Sequence, residues 1–194
     1  MPHPDSDRLR RSLERCVSRT VRWVGVVYRS SSPRYANRDD LLTGSGSKTA
    51  GARWNTPRSF PTLYSSLDPH TAIDEVLAHF RFFGIPIESA MPRVTVSVRV
   101  RVERVLDLTD GKIRSALRVS ERRMLDEPWR EQQQAGREAL TQALGRLIHE
   151  LEWEGFLVPS AARRGGVNLI LLPTNLSSRS SLEIINVSEL PRRE

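Results

Sequence analysis

Between residues 93 and 102 the chain alternates without a break, with Val94, Val96, Val98, Val100 and Val102 on one side and Arg93, Thr95, Ser97, Arg99 and Arg101 on the other. Side chains of an extended chain point to opposite faces in turn, so this stretch can bury its valines only as a strand with one face in a core. A second stretch, residues 69–83, repeats at helical spacing through Ala72, Ile73, Val76, Leu77, Phe80 and Phe83. Asp68 before it and Pro69 at its first position are a helix-start signal, and Gly84 ends it. One strand period and one helix period in neighbouring segments require a mixed protein.

The remaining segments follow the same reading. Leu9, Leu13, Cys16 and Val17 predict an N-terminal amphipathic helix over about residues 5–18. Residues 20–29, rich in β-branched and aromatic side chains, read as a strand ending at Arg29. Residues 30–50 hold few apolar anchors and read as a long loop, which in a compact domain is usually functional. Short strands with turns are expected around Trp54 and around Leu63 and Tyr64. One or two short helices are expected within residues 110–134, with Trp129 as anchor, followed by a helix over 135–151. GFLVPS, VNLILLP and LEIINV read as three short strands separated by turn-rich segments. Strands and helices are mixed without a regular βαβ alternation, which favours α+β over a doubly wound sheet.

Bulk properties narrow the function classes. The 194 residues are read as one domain, with no linker or internal repeat. No apolar stretch approaches the roughly 18 residues of a membrane span, and the N-terminus lacks the apolar core of a secretory signal, so a cytoplasmic protein with no membrane partner is expected. Cys16 is the single cysteine and no Cys/His cluster has zinc spacing, so no metal is expected. The net charge of +7 raises the possibility of nucleic acid. Yet the arginines are dispersed from Arg8, Arg10, Arg11 and Arg15 through Arg99, Arg101 and Arg104, Arg122 and Arg123, to Arg192 and Arg193, with acidic residues among most of them. No direct nucleic-acid contact is expected, although a basic nucleic-acid-binding module is kept as an alternative. Without GxGxxG after a strand or a P-loop, a classical dehydrogenase or kinase is not expected.

Candidate site residues are individually weak. Arg29 ends a strand and Arg53 sits in a turn-rich stretch; a guanidinium suits pyrophosphate because its planar fork donates two parallel hydrogen bonds. Glu75 falls at the flank of the apolar face of helix 69–83, one turn before His79, which is read as a border residue. Trp54 and Tyr64 are core aromatics by default, one of which could stack on a nicotinamide or adenine ring. Ser160 ends an apolar run without a G-x-S-x-G context, so it is not a hydrolase nucleophile.

Order adds what single residues lack. VYR at 27–29, GARWN at 51–55, LYSS at 63–66, Ala72-x-x-Glu75, and FLVPSAA through Asn168-Leu169 occur in the order of RES-domain proteins, and the chain resembles that family from about residue 22 to residue 187. The resemblance implies an ADP-ribosyltransferase-like α+β fold, with small mixed β-sheets flanked by helices and NAD bound in a cleft. It implies an NAD-degrading toxin of a bacterial toxin–antitoxin system, cleaving the nicotinamide–ribose bond by phosphorolysis or hydrolysis, or alternatively a toxin transferring ADP-ribose to protein. NAD+ would be substrate rather than a bound prosthetic cofactor, inorganic phosphate a possible co-substrate, and the partner a cognate Xre-like, DNA-binding antitoxin in a hetero-oligomer. Glu75 would be the catalytic carboxylate, Arg29 and Arg53 the phosphate contacts, Tyr64 would line the nicotinamide side, and Ser160 would hydrogen-bond the substrate. Trp54 and Asn168 complete the set of NAD-binding candidates. Two positions depart from the family pattern: Ala52 stands where a second glycine is usual, and Pro57 is followed by Arg58 and Ser59 where Pro-x-Gly is frequent.

Overall fold

A computed structural model describes residues 1–191; Arg192 and Arg193, counted above among the dispersed cations, lie outside the described residues. Six strands form one mixed sheet: β1 (Val21–Ser31), β2 (Leu63–Ser66), β3 (Val94–Asp107), β4 (Gly155–Pro159), β5 (Val167–Leu171) and β6 (Ser181–Ile184). Their order is β1-β2-β5-β4-β3-β6, and β1 pairs in addition with β3. Five strands therefore close into a ring, with β6 added beside β3. The α+β class is as the sequence implies; the strands join one sheet that curls on itself.

The valine alternation explains the ring. Val96, Val98, Val100 and Val102 are buried in a cluster with Val27, Leu63, Leu157, Leu169 and Leu171, contributed by β1, β2, β4 and β5. The intervening residues Leu106, Phe156, Val158 and Ile170 instead join Leu9, Leu13, Leu140, Leu144 and Ile148 under the helices. Period 2 along each strand thus feeds two cores, one on each face of the sheet. β3 runs five residues past the expected end at Val102. Opposite this point Val21 pairs with Val105 and Trp23 with Val102, so β3 carries an extra residue. Such a bulge shifts the inside-outside phase by one. Val105 consequently faces the ring and Leu106 the helices, and a strict period-2 reading stops short.

The helices are shorter than their apolar spacing predicts. Helix α1 covers Ser6–Glu14, followed by a 3-10 turn, so Leu9, Leu13 and Cys16 are buried while Val17 is 52% exposed. Residues 30–50 are not a plain loop: α2 (Arg38–Leu42), capped by Asn37 and anchored by buried Leu41, precedes α3 (Ser45–Ala50). Helices of five and six residues show no apolar period, so they were invisible to it. α4 (Pro69–Phe82) begins where expected, with the Asp68 carboxylate accepting from Thr71 N at 2.9 Å. Three short helices fill the next polar region: α5 (Gly111–Leu117), α6 (Glu121–Leu125) and α7 (Trp129–Gln134). α8 spans Leu140–Glu150 rather than 135–151, because Gly136 turns to φ 68° and separates it from α7. The expected strand around Trp54 is only a bridge between Ala52 and Asn55. Among the described residues no helix is long and apolar enough to cross a membrane.

Candidate active site

Glu75 sits two turns into α4, facing a cavity of about 540 Å³ whose lining includes Tyr28, Arg29, Arg53, Tyr64, Glu75 and Asn168. That volume is within the usual range for a small-molecule site, about 300–1,000 Å³. Its position depends on both arms of the β4–β5 hairpin, near the turn. Ser160, just beyond β4, donates its hydroxyl proton to Glu75 Oε1 at 2.7 Å, and Asn168 of β5 donates from Nδ2 to the same oxygen at 2.6 Å. The Ser160 hydroxyl accepts from the backbone N–H of Ala162 and of Arg163, both at 3.1 Å, so its one proton is directed at Glu75. Asn168 is held in turn, its Oδ1 accepting from Ser66 Oγ at 2.7 Å. Glu75 Oε2 has no hydrogen-bond partner among the described residues. A carboxylate thus has one oxygen fixed and one available.

Arg53 is placed by a tight turn. Ala52 N donates to Asn55 O at 2.8 Å, and buried Asn55 donates from Nδ2 to Ser47 O at 2.7 Å. The Tyr64 hydroxyl closes the turn, donating to Asn55 Oδ1 and accepting from Trp54 N, each at 2.9 Å. Helix α8 braces it from behind: Gln142 Nε2 donates to Ala52 O at 3.0 Å. Gly145 permits that approach, since a Cβ there would lie 1.9 Å from Trp54 O. The Arg53 guanidinium then reaches across to α6, where NH1 donates to Met124 O at 2.9 Å and to Leu125 O at 3.3 Å. Ala52 carries no positive φ, so alanine fits where the family has glycine; Gly51 is the residue that turns, with φ 72°. Ser59, which stands where Pro-x-Gly has its glycine, likewise carries no positive φ, whereas its neighbour Arg58 takes φ 59°.

The cavity walls are strongly cationic. Arg29, on β1, donates to Leu41 O, and burial lowers its pKa to about 10, leaving it charged at neutral pH. Arg93 donates to Ser30 O at 3.0 Å, and burial lowers its pKa too. Arg53 and Arg130 are depressed chiefly by burial, with Glu75 acting in the opposite direction on both. Among the described residues no carboxylate forms an ion pair with any of the four. Half-buried cations without counter-ions are costly in the empty protein and attract an anion. Burial also pushes the Tyr64 phenol well above its ordinary range, so it stays protonated and serves as a structural donor.

The structure therefore brings Arg29, Arg53, Tyr64, Glu75 and Asn168 to one cavity, and Ser160 into direct contact with Glu75. Two residues differ from their expected roles. Ser160 is 5% exposed and lies behind Glu75, its hydroxyl committed to the carboxylate rather than open to a substrate. Trp54 also lines the cavity, but it is 3% exposed and its indole packs edge-on against Phe156, with ring centroids 5.2 Å apart, so most of its ring belongs to the core. His79 stays at the border, exposed and edge-on to Phe83 at 4.9 Å. Arg93 and Arg130 went unnoticed in the sequence, where an arginine at the foot of a strand and one after a tryptophan carry no distinguishing signal.

The RES domain model matches residues 26–191. Proteins named NAD(+) phosphorylase MbcT, from Mycobacterium bovis and Mycobacterium tuberculosis, are 27% identical over 174 residues, covering 85% of this chain and 85% of theirs. A chain in the crystal structure of the M. tuberculosis MbcT–MbcA toxin–antitoxin complex has the same fold, with a TM-score of 0.70 at 24% identity. That match covers 94% of this chain and 96% of the other.

Proposed function

The chain belongs to the RES domain family, and from that premise we propose that it is an NAD-degrading toxin that breaks the nicotinamide–ribose bond of NAD+, with inorganic phosphate as acceptor. The observation that carries this reading is Glu75, one oxygen anchored by Ser160 and Asn168 and the other without a partner among the described residues, in a cavity whose walls include four arginines that pair with no described carboxylate. Nicotinamide is a cation while attached and departs as a neutral pyridine, so no general acid is needed. A site with two catalytic carboxylates, as in glycosidases, is thereby unnecessary, and Glu75 is the sole carboxylate among the described residues lining the cavity. Its role is to stabilise the oxocarbenium-like ribose, by charge or by a hydrogen bond to a ribose hydroxyl that strengthens as the bond breaks. The arginines hold the pyrophosphate and the acceptor phosphate between them, and Tyr64 holds the turn that carries Arg53.

MbcT is named for NAD(+) phosphorolysis and is found in complex with MbcA, which favours phosphate over water as acceptor here and an antitoxin as partner. In this reading residues 1–194 act as one domain in the cytoplasm, restrained by an Xre-like, DNA-binding antitoxin. Incubation with NAD+, with and without phosphate, followed by mass identification of products, tests it. Nicotinamide together with ADP-ribose phosphate is expected. Intact NAD+ under both conditions would overturn the proposal, and ADP-ribose on lysate protein would move it to the transferase reading.

A further inference from the structure

The cavity wall carries one cation whose N–H groups have no acceptor among the described residues. Arg130, on α7, stands over three aromatic rings, 4.3 Å from the Trp129 centroid, 4.4 Å from Phe82 and 6.0 Å from Phe83. These contacts use its π face. Among the described residues its N–H groups have no hydrogen-bond acceptor. A guanidinium has five such donors in a fixed plane, and here they border the same cavity as Glu75 and Arg53.

Arg53 and Arg130 are also tied to one another. The carbonyls that hold Arg53 belong to Met124 and Leu125, and Arg130 follows within the same short stretch of chain. Arg53 commits only NH1 to them, which leaves its remaining donors for a ligand. The two cations repel, and that repulsion adds to burial in lowering the Arg130 pKa. A dianion between them would remove it. Arg29 and Arg93 form a separate group at the β1–β3 edge, where Arg93 bonds Ser30, the neighbour of Arg29. The Glu75 carboxylate raises the pKa of Arg53 and of Arg130, whereas burial is the cause of the shifts of Arg29 and Arg93. Two dianions are needed for phosphorolysis, the pyrophosphate of the substrate and the attacking phosphate, and the second must lie beside the carbon on which Glu75 acts.

We propose that Arg130 is the second jaw of an anion clamp which, with Arg53, seats inorganic phosphate next to Glu75, while Arg29 and Arg93 take the pyrophosphate of the dinucleotide. This rests on the phosphorylase reading above. A phosphate oxygen, already ionised, forms the new bond to the ribose carbon. The pair of electrons of the breaking C–N bond passes to the pyridine nitrogen, so nicotinamide leaves neutral and the phosphate becomes an ester. Arg130 neutralises the attacking dianion, offsetting its repulsion by Glu75, and the rings of Trp129 and Phe82 fix where it can do so.

The test separates the two substrates. In Arg130→Gln the KM for phosphate is expected to rise about 10-fold to 100-fold, the loss typical of one charge-assisted hydrogen-bonding group, with the KM for NAD+ within about twofold. Arg130→Lys keeps the charge without the planar fork and should recover part of the loss. An unchanged KM for phosphate, or an equal rise for both substrates, overturns the clamp. Phosphate binding to the free protein, followed by 31P line broadening, is read independently of turnover. Wild-type protein that leaves NAD+ intact yet binds phosphate, with binding lost in Arg130→Gln, defeats the phosphorylase reading and leaves the clamp standing. Phosphate binding that Arg130→Gln does not alter overturns the clamp whatever the turnover.

Discussion

The two ends of β4 hold two carboxylates in opposite ways. Before the strand, Glu154 is fully buried: Oε1 accepts from Ser177 N at 3.1 Å, and Oε2 accepts from Glu103 N at 2.6 Å and Ser180 Oγ at 2.7 Å. Beyond the strand, Ser160 holds one oxygen of Glu75 and leaves the other unengaged at the cavity. Burial by itself would raise the Glu154 pKa, but the hydrogen bonds from Ser180, Glu103 and Ser177 outweigh it and the net shift is downward. The difference teaches how to separate architecture from chemistry in this fold. A carboxylate with both oxygens satisfied ties the β6 approach to β3, whereas a half-satisfied one keeps an acceptor in reserve for a ligand.

Exchanging each for its amide should break the molecule in different ways. Glu75→Gln is expected to lower nicotinamide release by about 10²-fold to 10³-fold, the scale of one preorganised electrostatic group, with the thermal midpoint shifted by no more than a few degrees. A variant that keeps wild-type turnover would remove Glu75 from the chemistry. For Glu154→Gln the loss falls on stability instead. Its amide would set N–H groups against N–H donors, costing about 2–4 kcal/mol in urea unfolding while kcat per folded molecule is retained; a fully stable variant would show that the Glu154 cluster anchors nothing.

Ser160→Ala sharpens the comparison from the shared strand. Because its hydroxyl acts through Glu75, kcat should fall about 10-fold or somewhat more while the KM for NAD+ stays nearly constant. A rise in KM alone would return Ser160 to the role of a substrate contact. The smallest effect is in acid. Glu154 has a folded pKa below its unfolded value, so the unfolded chain takes up the proton first as pH falls. Its stabilisation is present in full above about pH 4.3, the ordinary carboxylate value, and is lost as pH drops through the lower folded value. The urea midpoint of wild type should thus fall more steeply below that pH than that of Glu154→Gln, and parallel curves would contradict the hydrogen-bonding account.

Legibility followed periodicity. α4 and the first part of β3 were readable because long apolar repeats admit one local structure each. α2 and α3 were not, since five or six residues cannot display a 3.6 period, and neither was the end of β3, hidden by the phase shift of a bulge. At the site, Glu75, Arg29, Arg53, Ser160 and Asn168 came into view through the order of the motifs and not through the chemistry of any one of them. Arg130 escaped because two of the three rings around it, Phe82 and Phe83, lie nearly fifty residues away in the chain.

By itself the sequence determined that the chain holds both a valine-lined strand and a capped amphipathic helix, hence an α+β protein, because an alternating and a helical apolar stripe each admit one local structure. The tertiary structure decided the rest. It set the Ser160 hydroxyl on Glu75, packed the Trp54 indole against Phe156, and put Arg130 on the wall of the cavity that Arg53 also lines. Each outcome depends on which partner meets a side chain across the sheet or between helices, and hydrogen bonds and ring contacts between residues distant in the chain leave no periodic trace along it.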